Sequence, residues 1–240
     1  MTGAERADAP TATALVVGGS PERPSPTLLR RLAASAGLVV ACDGGANACR
    51  AAGVMPDVLV GDEDSLEPAS LRYVREGGCR EVRFPMDKDE VDLALAVRLV
   101  RRERPDVARL VLTGVSGGRL DHGLAVIGIA LRAADLGVRV EEDAFAARVL
   151  DARTPGAPRE VAFGAEDVGR TVSVIAAPGE ASVTEWGMRW GVRDLALQPL
   201  GGEGVSNVVE AMPAGVRVER GSMLVIVQRE RIAKAVMTVA

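Results

Sequence analysis

Five aspartates stand at or near the ends of apolar, β-like runs. Asp43 follows Leu-Val-Val-Ala-Cys, Asp62 and Asp64 follow Val-Leu-Val-Gly, and Asp89 and Asp92 lie in Phe-Pro-Met-Asp-Lys-Asp-Glu-Val-Asp. Carboxylates delivered to one place by several strand ends repel. Two of them about 4 Å apart, at an effective dielectric of roughly 20, cost about 4 kcal/mol unless a cation sits between them. The chain has one histidine and three scattered cysteines, so the donors on offer are oxygens. A hard cation, Mg²⁺ above all, suits them better than zinc. Magnesium in turn points to a phosphorylated substrate.

Each segment also has a purely structural reading. In Gly61-Asp62-Glu63-Asp64-Ser65 the two aspartates are two apart, which in an extended chain turns both carboxylates to one side. The same segment is explained by Asp64 or Ser65 capping a following helix while Asp62 shapes a turn. In Lys88-Asp89-Glu90-Val91-Asp92, Asp89 reads as an N-cap with Asp92 on the same face of the first turn, and capping alone explains that spacing equally well. The glycine-rich run from Thr113 to His122 joins a buried strand to a long helix. Amides exposed at a helix N-terminus favour anions, and Arg119 could hold a phosphate bidentately. It is neither a Walker A loop nor a GxGxxG fingerprint. The plain alternative is a strand-to-helix connection with Asp121 as N-cap and His122 in the first turn. The two tryptophans, Trp186 and Trp190, are four apart in what reads as an extended segment, hence on one face. Together with Gly204-Val205-Ser206-Asn207 they suggest a platform for a flat heteroaromatic ligand, against the alternative of core packing.

These residues need elements to position them. From Ala14 to about Ala146 short apolar runs alternate with amphipathic helical patterns, which predicts α/β structure with a parallel sheet whose ligands bind at the strands' carboxyl ends. From about Ala147 the pattern changes to short strands separated by Gly and Pro turns. The expected fold class is thus α/β then all-β: an N-terminal parallel-sheet nucleotide-binding domain, residues 1–146, followed by a C-terminal β-sandwich, residues 147–240. A net charge of −4 and no basic tract argue against a nucleic-acid surface, and Arg101, Arg102 and Arg104 read as the charged end of a helix. Three cysteines without CxxC spacing fit a reducing cytoplasm, and no apolar run approaches the ~20 residues that span a membrane.

Taken in order, Asp43-Gly44-Gly45-Ala46-Asn47, Pro56-Asp57 running to Gly61-Asp62-Glu63-Asp64-Ser65, Lys88-Asp89 with Asp92, Gly117-Gly118-Arg119-Leu120-Asp121-His122, and Gly204-Val205-Ser206-Asn207 resemble the thiamin pyrophosphokinase family. The resemblance spans nearly the whole chain. It implies a homodimer that transfers a pyrophosphoryl group from ATP to the hydroxyl of thiamin, giving thiamin diphosphate and AMP. It also implies that Asp43, Asp62, Asp64, Asp89 and Asp92 bind Mg²⁺ and hold ATP, and that Asn47, Lys88 and His122 add nucleotide contacts. Arg119 and Asp121 would orient the phosphates, with Asp92 or Asp121 as proton acceptor. Trp190 would stack on thiamin, with Ser206 and Asn207 near its pyrimidine across the dimer interface. The chain departs from the family at Val91 and Ala94, where threonine and glutamate are favoured, and after Trp190. Two other readings follow from those departures: a pyrophosphokinase of another heterocyclic alcohol such as a pterin, and a non-catalytic nucleotide or thiamin sensor.

Overall fold

The computed structural model describes residues 12–62, 64–83 and 90–231. The alternating first half forms β1 (Ala12–Val17), α1 (Pro26–Ala34), β2 (Leu38–Cys42), α2 (Gly45–Ala52), β3 (Val58–Gly61), α3 (Pro68–Glu76), β4 (Arg80–Arg83), α4 (Asp92–Glu103), β5 (Val107–Thr113), α5 (Leu120–Arg132) and β6 (Arg139–Glu141). The central strands β1, β2, β3 and β5 are largely apolar on both faces because both are covered. Leu15, Val17, Val39 and Ala41 pack under α1, α2 and α3, while Ala14, Val16, Val40 and Cys42 face α4 and α5. The helix starts follow from sequence: Ser25 caps α1 by accepting from the Leu28 N–H at 3.2 Å, and Pro26 and Pro68 open α1 and α3.

The second half forms β7 (Phe145–Asp151), β8 (Glu160–Phe163), β9 (Arg170–Ala176), β10 (Ala181–Trp186), β11 (Val192–Leu197), β12 (Asn207–Val208), β13 (Ala214–Arg220) and β14 (Ser222–Arg231). It is not set apart as two separate sheets would be. Strands β6, β5, β1, β2, β3 and β4 are parallel neighbours, but β7 pairs antiparallel with β6, and β14, β9 and β12 continue from it, making one ten-stranded mixed sheet. A four-stranded antiparallel sheet, β11-β10-β13-β8, packs on the β7-β14-β9-β12 end. The expected parallel sheet is therefore mixed, and β7 runs through the 146/147 boundary. Its Ala147 and Val149 lie in the helix-covered core and its Leu150 in the sandwich core.

One feature places a site. The strand order β4-β3-β2-β1-β5-β6 reverses direction between β1 and β5, and a cleft opens at such a switch point beyond the carboxyl ends of the strands. Among the described residues no helix is long and apolar enough to cross a membrane, and the three cysteines are unpaired.

Candidate active site

A cleft of about 660 Å³ opens at that switch point. Residues 18–21 after β1, Asp43 after β2, Ser65 after β3, residues 90–93 at the start of α4 and the loop leading into α5 line it. Glycine lets these backbones meet. A Cβ on Gly45 would lie 2.1 Å from the Val17 carbonyl oxygen, so the first turn of α2 can press against the end of β1 only without a side chain.

Asp43, Asp62 and Asp64 converge. Each offers a carboxylate oxygen, and the three atoms lie within 4.8 Å of one another. Asp43 adopts φ 44°, a conformation Asp tolerates better than most residues. It projects past Gly61, where an added Cβ would come within 3.0 Å of its own Cβ. The Ser65 hydroxyl donates to Asp43 Oδ2 at 2.6 Å and accepts from the Gly44 N–H at 3.0 Å. Asp43 Oδ1 is sealed from solvent with no hydrogen-bond partner among the described residues. Burial is the main reason its pKa is raised to about 6; the Ser65 hydrogen bond opposes the rise, and the nearby carboxylates of Asp64 and Asp92 add to it. An orphaned, partly desolvated carboxylate oxygen beside two further carboxylates fits a hard divalent cation.

Asp92 opens α4 on the cleft wall. Lys88 and Asp89 lie outside the described residues. Arg119 and His122 line the cleft, but Arg119 is 72% exposed and is engaged by its neighbour, with Nη2 donating to Asp121 Oδ2 at 2.5 Å. That bond is the largest cause holding Asp121 down to about 2. Helix α5 starts at Leu120 with Arg119 at the cap position, so Asp121 is a first-turn residue that accepts from the His122 N–H, not the N-cap. Asn47 is buried and spends its amide on the chain, donating to the Ser65 carbonyl at 3.1 Å and accepting from the Glu67 N–H at 3.0 Å. It fastens the loop that carries Asp64. Asp57 is likewise structural, accepting from the Val39 N–H at 2.7 Å at the opposite end of the strands.

Two contributors escaped the sequence reading, residues 18–21 and Glu142, and a third, Ser65, was seen there only as a possible helix cap. Residues 18–21 form a wall of the cleft, stitched to the facing loop by Gly18 N–H to the Thr113 carbonyl at 2.8 Å and Ser20 N–H to the Gly114 carbonyl at 3.0 Å. Ser65 organises Asp43. Glu142, 5% exposed, accepts from the N–H groups of Gly114, Val115 and Ser116 at 3.1, 2.9 and 3.2 Å and so shapes the glycine-rich loop. Burial raises its pKa against the pull of those donors. The available signal was three consecutive acids, residues 141–143, at the end of β6.

The tryptophan segment is elsewhere and is not one extended face. Trp186 ends β10 and lies over Gly215, where an added Cβ would meet its ring at 2.2 Å. Gly187, with φ 66°, then breaks the strand, leaving Trp190 59% exposed on the turn into β11 beneath the Arg189 guanidinium, 5.7 Å from the ring centroid. Asn207 is buried and grips this turn from both sides, accepting from the Trp190 N–H at 3.1 Å and donating to its carbonyl at 2.9 Å. Its amide also donates to the buried Glu185 at 2.6 Å. Ser206, exposed at φ 66°, follows the loop beside it. None of Trp190, Ser206 and Asn207 lines the aspartate cleft.

Residues 29–141, the stretch that carries the cleft's aspartates, match the family described as thiamin pyrophosphokinase, catalytic domain. The likeness is to the thiamin pyrophosphokinases. Thiamine pyrophosphokinase 1 of Oryza sativa subsp. japonica is 28% identical over 159 residues, covering 65% of this chain and 60% of that one. The thiamine pyrophosphokinase of Bacillus subtilis is 27% identical over 89 residues, covering 37% of this chain and 41% of that one. These alignments span less than two thirds of either thiamine pyrophosphokinase's own length. In fold the likeness is fuller. A crystal structure of thiamine pyrophosphokinase from Bacillus subtilis superposes with a TM-score of 0.77 at 21% identity, over 91% of this chain and 99% of that one. The thiamin pyrophosphokinase from Candida albicans gives 0.75 at 14%, over 91% and 89%.

Proposed function

We propose that this chain is a thiamin pyrophosphokinase, transferring the β,γ-pyrophosphoryl group of ATP to the hydroxyl of thiamin with release of AMP. The observation that carries the reading is the convergence of Asp62 and Asp64 on Asp43, which lines the switch-point cleft, inside the stretch that matches the family's catalytic domain. Residues 1–146 supply the nucleotide cleft and residues 147–240 the Trp190 turn and the dimer contacts. The free cysteines agree with a cytoplasmic home.

Asp43, Asp62 and Asp64, with Asp92 on the cleft wall, would hold Mg²⁺ against the phosphates, and Asp89 is assigned to the same set from the sequence. The cation, when bound, neutralises charge on the phosphate oxygens. The acceptor hydroxyl attacks the β-phosphorus in line, the new O–Pβ bond forms as the bond from Pβ to the α-β bridging oxygen breaks, and AMP leaves with that oxygen. Arg119 swings from Asp121 to the phosphates or carries Asp121 with it. Asp92, on the cleft wall, and Asp121, in the first turn of α5, are the two candidate proton acceptors. Lys88, Asn47 and His122 hold or frame the nucleotide.

The acceptor pocket needs a second copy. Trp190, Ser206 and Asn207 stand apart from the cleft, and large apolar side chains are exposed in both places: Leu120 and Leu124 on α5, and Trp190, Leu200 and Val205 around the turn. A homodimer that seats the Trp190 turn of one chain over the cleft of the other covers both. Incubation with ATP, Mg²⁺ and thiamin, followed by phosphorus NMR, tests the reading: AMP and a new diphosphate ester are expected. ATP that raises the melting temperature without forming product would favour the sensor reading, and turnover only with another heterocyclic alcohol would move the acceptor.

A further inference from the structure

One face of the large sheet changes its cover part-way along. Under α1 to α3 it carries Val111 of β5 in the helix-covered core, and farther on Leu150 of β7 in the sandwich core. Between the two covers three arginines rise from adjacent strands. Arg139 of β6 pairs across the sheet with Arg148 of β7 and with Val111 of β5, and Arg109 sits two residues before Val111, so all three share that face. They line a recess of about 350 Å³, bounded on the sandwich side by Pro158, Glu160 and Val161.

Among the described residues no carboxylate forms an ion pair with these three arginines; Glu141 attracts Arg139 without offsetting its burial and its arginine neighbours. All three are half-buried, and Arg148 Nη1 is sealed from solvent without a hydrogen-bond partner. The rim carboxylate, Glu160, faces Arg217 at 3.8 Å, and Glu141 is held by Arg229 at 2.5 Å. Burial, then the neighbouring Arg148 and Arg109, bring Arg139 down to about 10. Like charges directly opposite on paired strands destabilise a sheet, and a buried donor left without an acceptor keeps its desolvation cost. Guanidinium groups converging on an enclosed volume present the paired N–H donors that match oxyanions.

We propose that this recess binds a small, multiply charged oxyanion of the phosphate class. It lies toward the start of β5, shares no lining residue with the aspartate cleft, and is independent of the reaction assigned there. The room exceeds that of a single phosphate, so a diphosphate or a compact phosphate ester fits.

Calorimetric titration in EDTA and chloride buffer at fixed ionic strength tests it, using inorganic pyrophosphate and glycerol 2-phosphate as probes. Without metal the aspartates repel anions, so the signal reports the recess. We expect saturable one-site binding, a raised melting temperature, and at least tenfold weaker binding in Arg148→Gln and in Arg139→Gln. Without anion these variants should be no less stable than the wild type, because repulsion has been relieved. Preference for pyrophosphate marks a free anion as the occupant and preference for the ester an organic phosphate; either supports the site. The proposal is overturned if neither probe stabilises the wild type beyond matched chloride, a result that needs no variant to fold, or if both variants keep wild-type affinity.

Discussion

The aspartate cleft and the tryptophan turn are built in opposite ways. In the cleft the reactive groups come from the ends of separate strands, are fixed by glycine contacts and buried clasps such as Glu142, and keep acceptor atoms unspent, as Asp43 Oδ1 shows. In the turn the polar residues are spent on the chain itself: the amide of Asn207 holds Trp190 and Glu185, leaving an exposed ring held in place by its backbone. The first arrangement suits a charged group that must be placed to within a fraction of an ångström. The second suits stacking, which needs a presented surface more than a precise donor. Both regions use buried carboxylates, Glu142 and Glu185, as framework.

Substitutions in the cleft should separate chemistry from folding most sharply. Asp64→Asn is expected to lower kcat by 10³-fold or more, about 4 kcal/mol of transition-state stabilisation, while circular dichroism and melting temperature stay at wild-type values, since Asp64 is exposed. Normal turnover in that variant would remove the carboxylates from the mechanism. Glu142→Ala should do the reverse in emphasis. It strips the acceptor from three backbone N–H groups, so a loss of about 2–4 kcal/mol is expected in denaturant unfolding, with AMP release reduced because the glycine-rich loop loses its shape.

In the turn the effects should be smaller and should fall on the acceptor. Trp190→Ala is expected to raise the KM for thiamin about tenfold, roughly 1.5 kcal/mol, with kcat and stability little changed because the ring is exposed. Asn207→Ala should raise the same KM and also cost about 1–3 kcal/mol of stability, because Glu185 is left buried without its donor. Equal KM values for all three proteins would break the link between the turn and the acceptor.

The smallest expected effect is a pH signature. The folded-state pKa of Asp43, about 6, lies above its ordinary value of 3.8, so the folded state holds the proton more tightly than the unfolded chain. Its contribution to stability is therefore fully present below about pH 4 and is lost as pH rises through about 6. Thermal unfolding of the metal-free protein should show that decline, and Asp43→Asn, which tolerates the same φ of 44°, should flatten it. A decline of the same size in Asp43→Asn would assign the titration to another group.

The α/β half was legible because its central strands, β1, β2, β3 and β5, are largely buried on both faces and its helices carry one apolar stripe, each pattern readable without knowing the neighbours. Strand β11 was not, since at the edge of its sheet residues 193–196 are exposed and the alternation that marks a strand is absent. The single mixed sheet was equally hidden, because the pairing of β6 with β7 is a choice of partner that composition does not record. At the site, carboxylates following apolar runs were visible, and Asp43, Asp62 and Asp64 do converge. For Asn47 and Asn207 the backbone clasps were hidden, because an asparagine in a glycine-rich run looks the same whether it faces a ligand or a backbone. Trp186 and Trp190 were read as one face because the turn at Gly187 depends on a positive φ that a lone glycine only permits.

The central claim is that Asp43, Asp62 and Asp64 hold the divalent cation on which transfer depends. Electron paramagnetic resonance of Mn²⁺ titrated into the ATP-bound protein tests it most directly. The account predicts bound Mn²⁺ that Mg²⁺ displaces and that Asp64→Asn loses while remaining folded. Mn²⁺ binding of wild-type strength in that variant would contradict it.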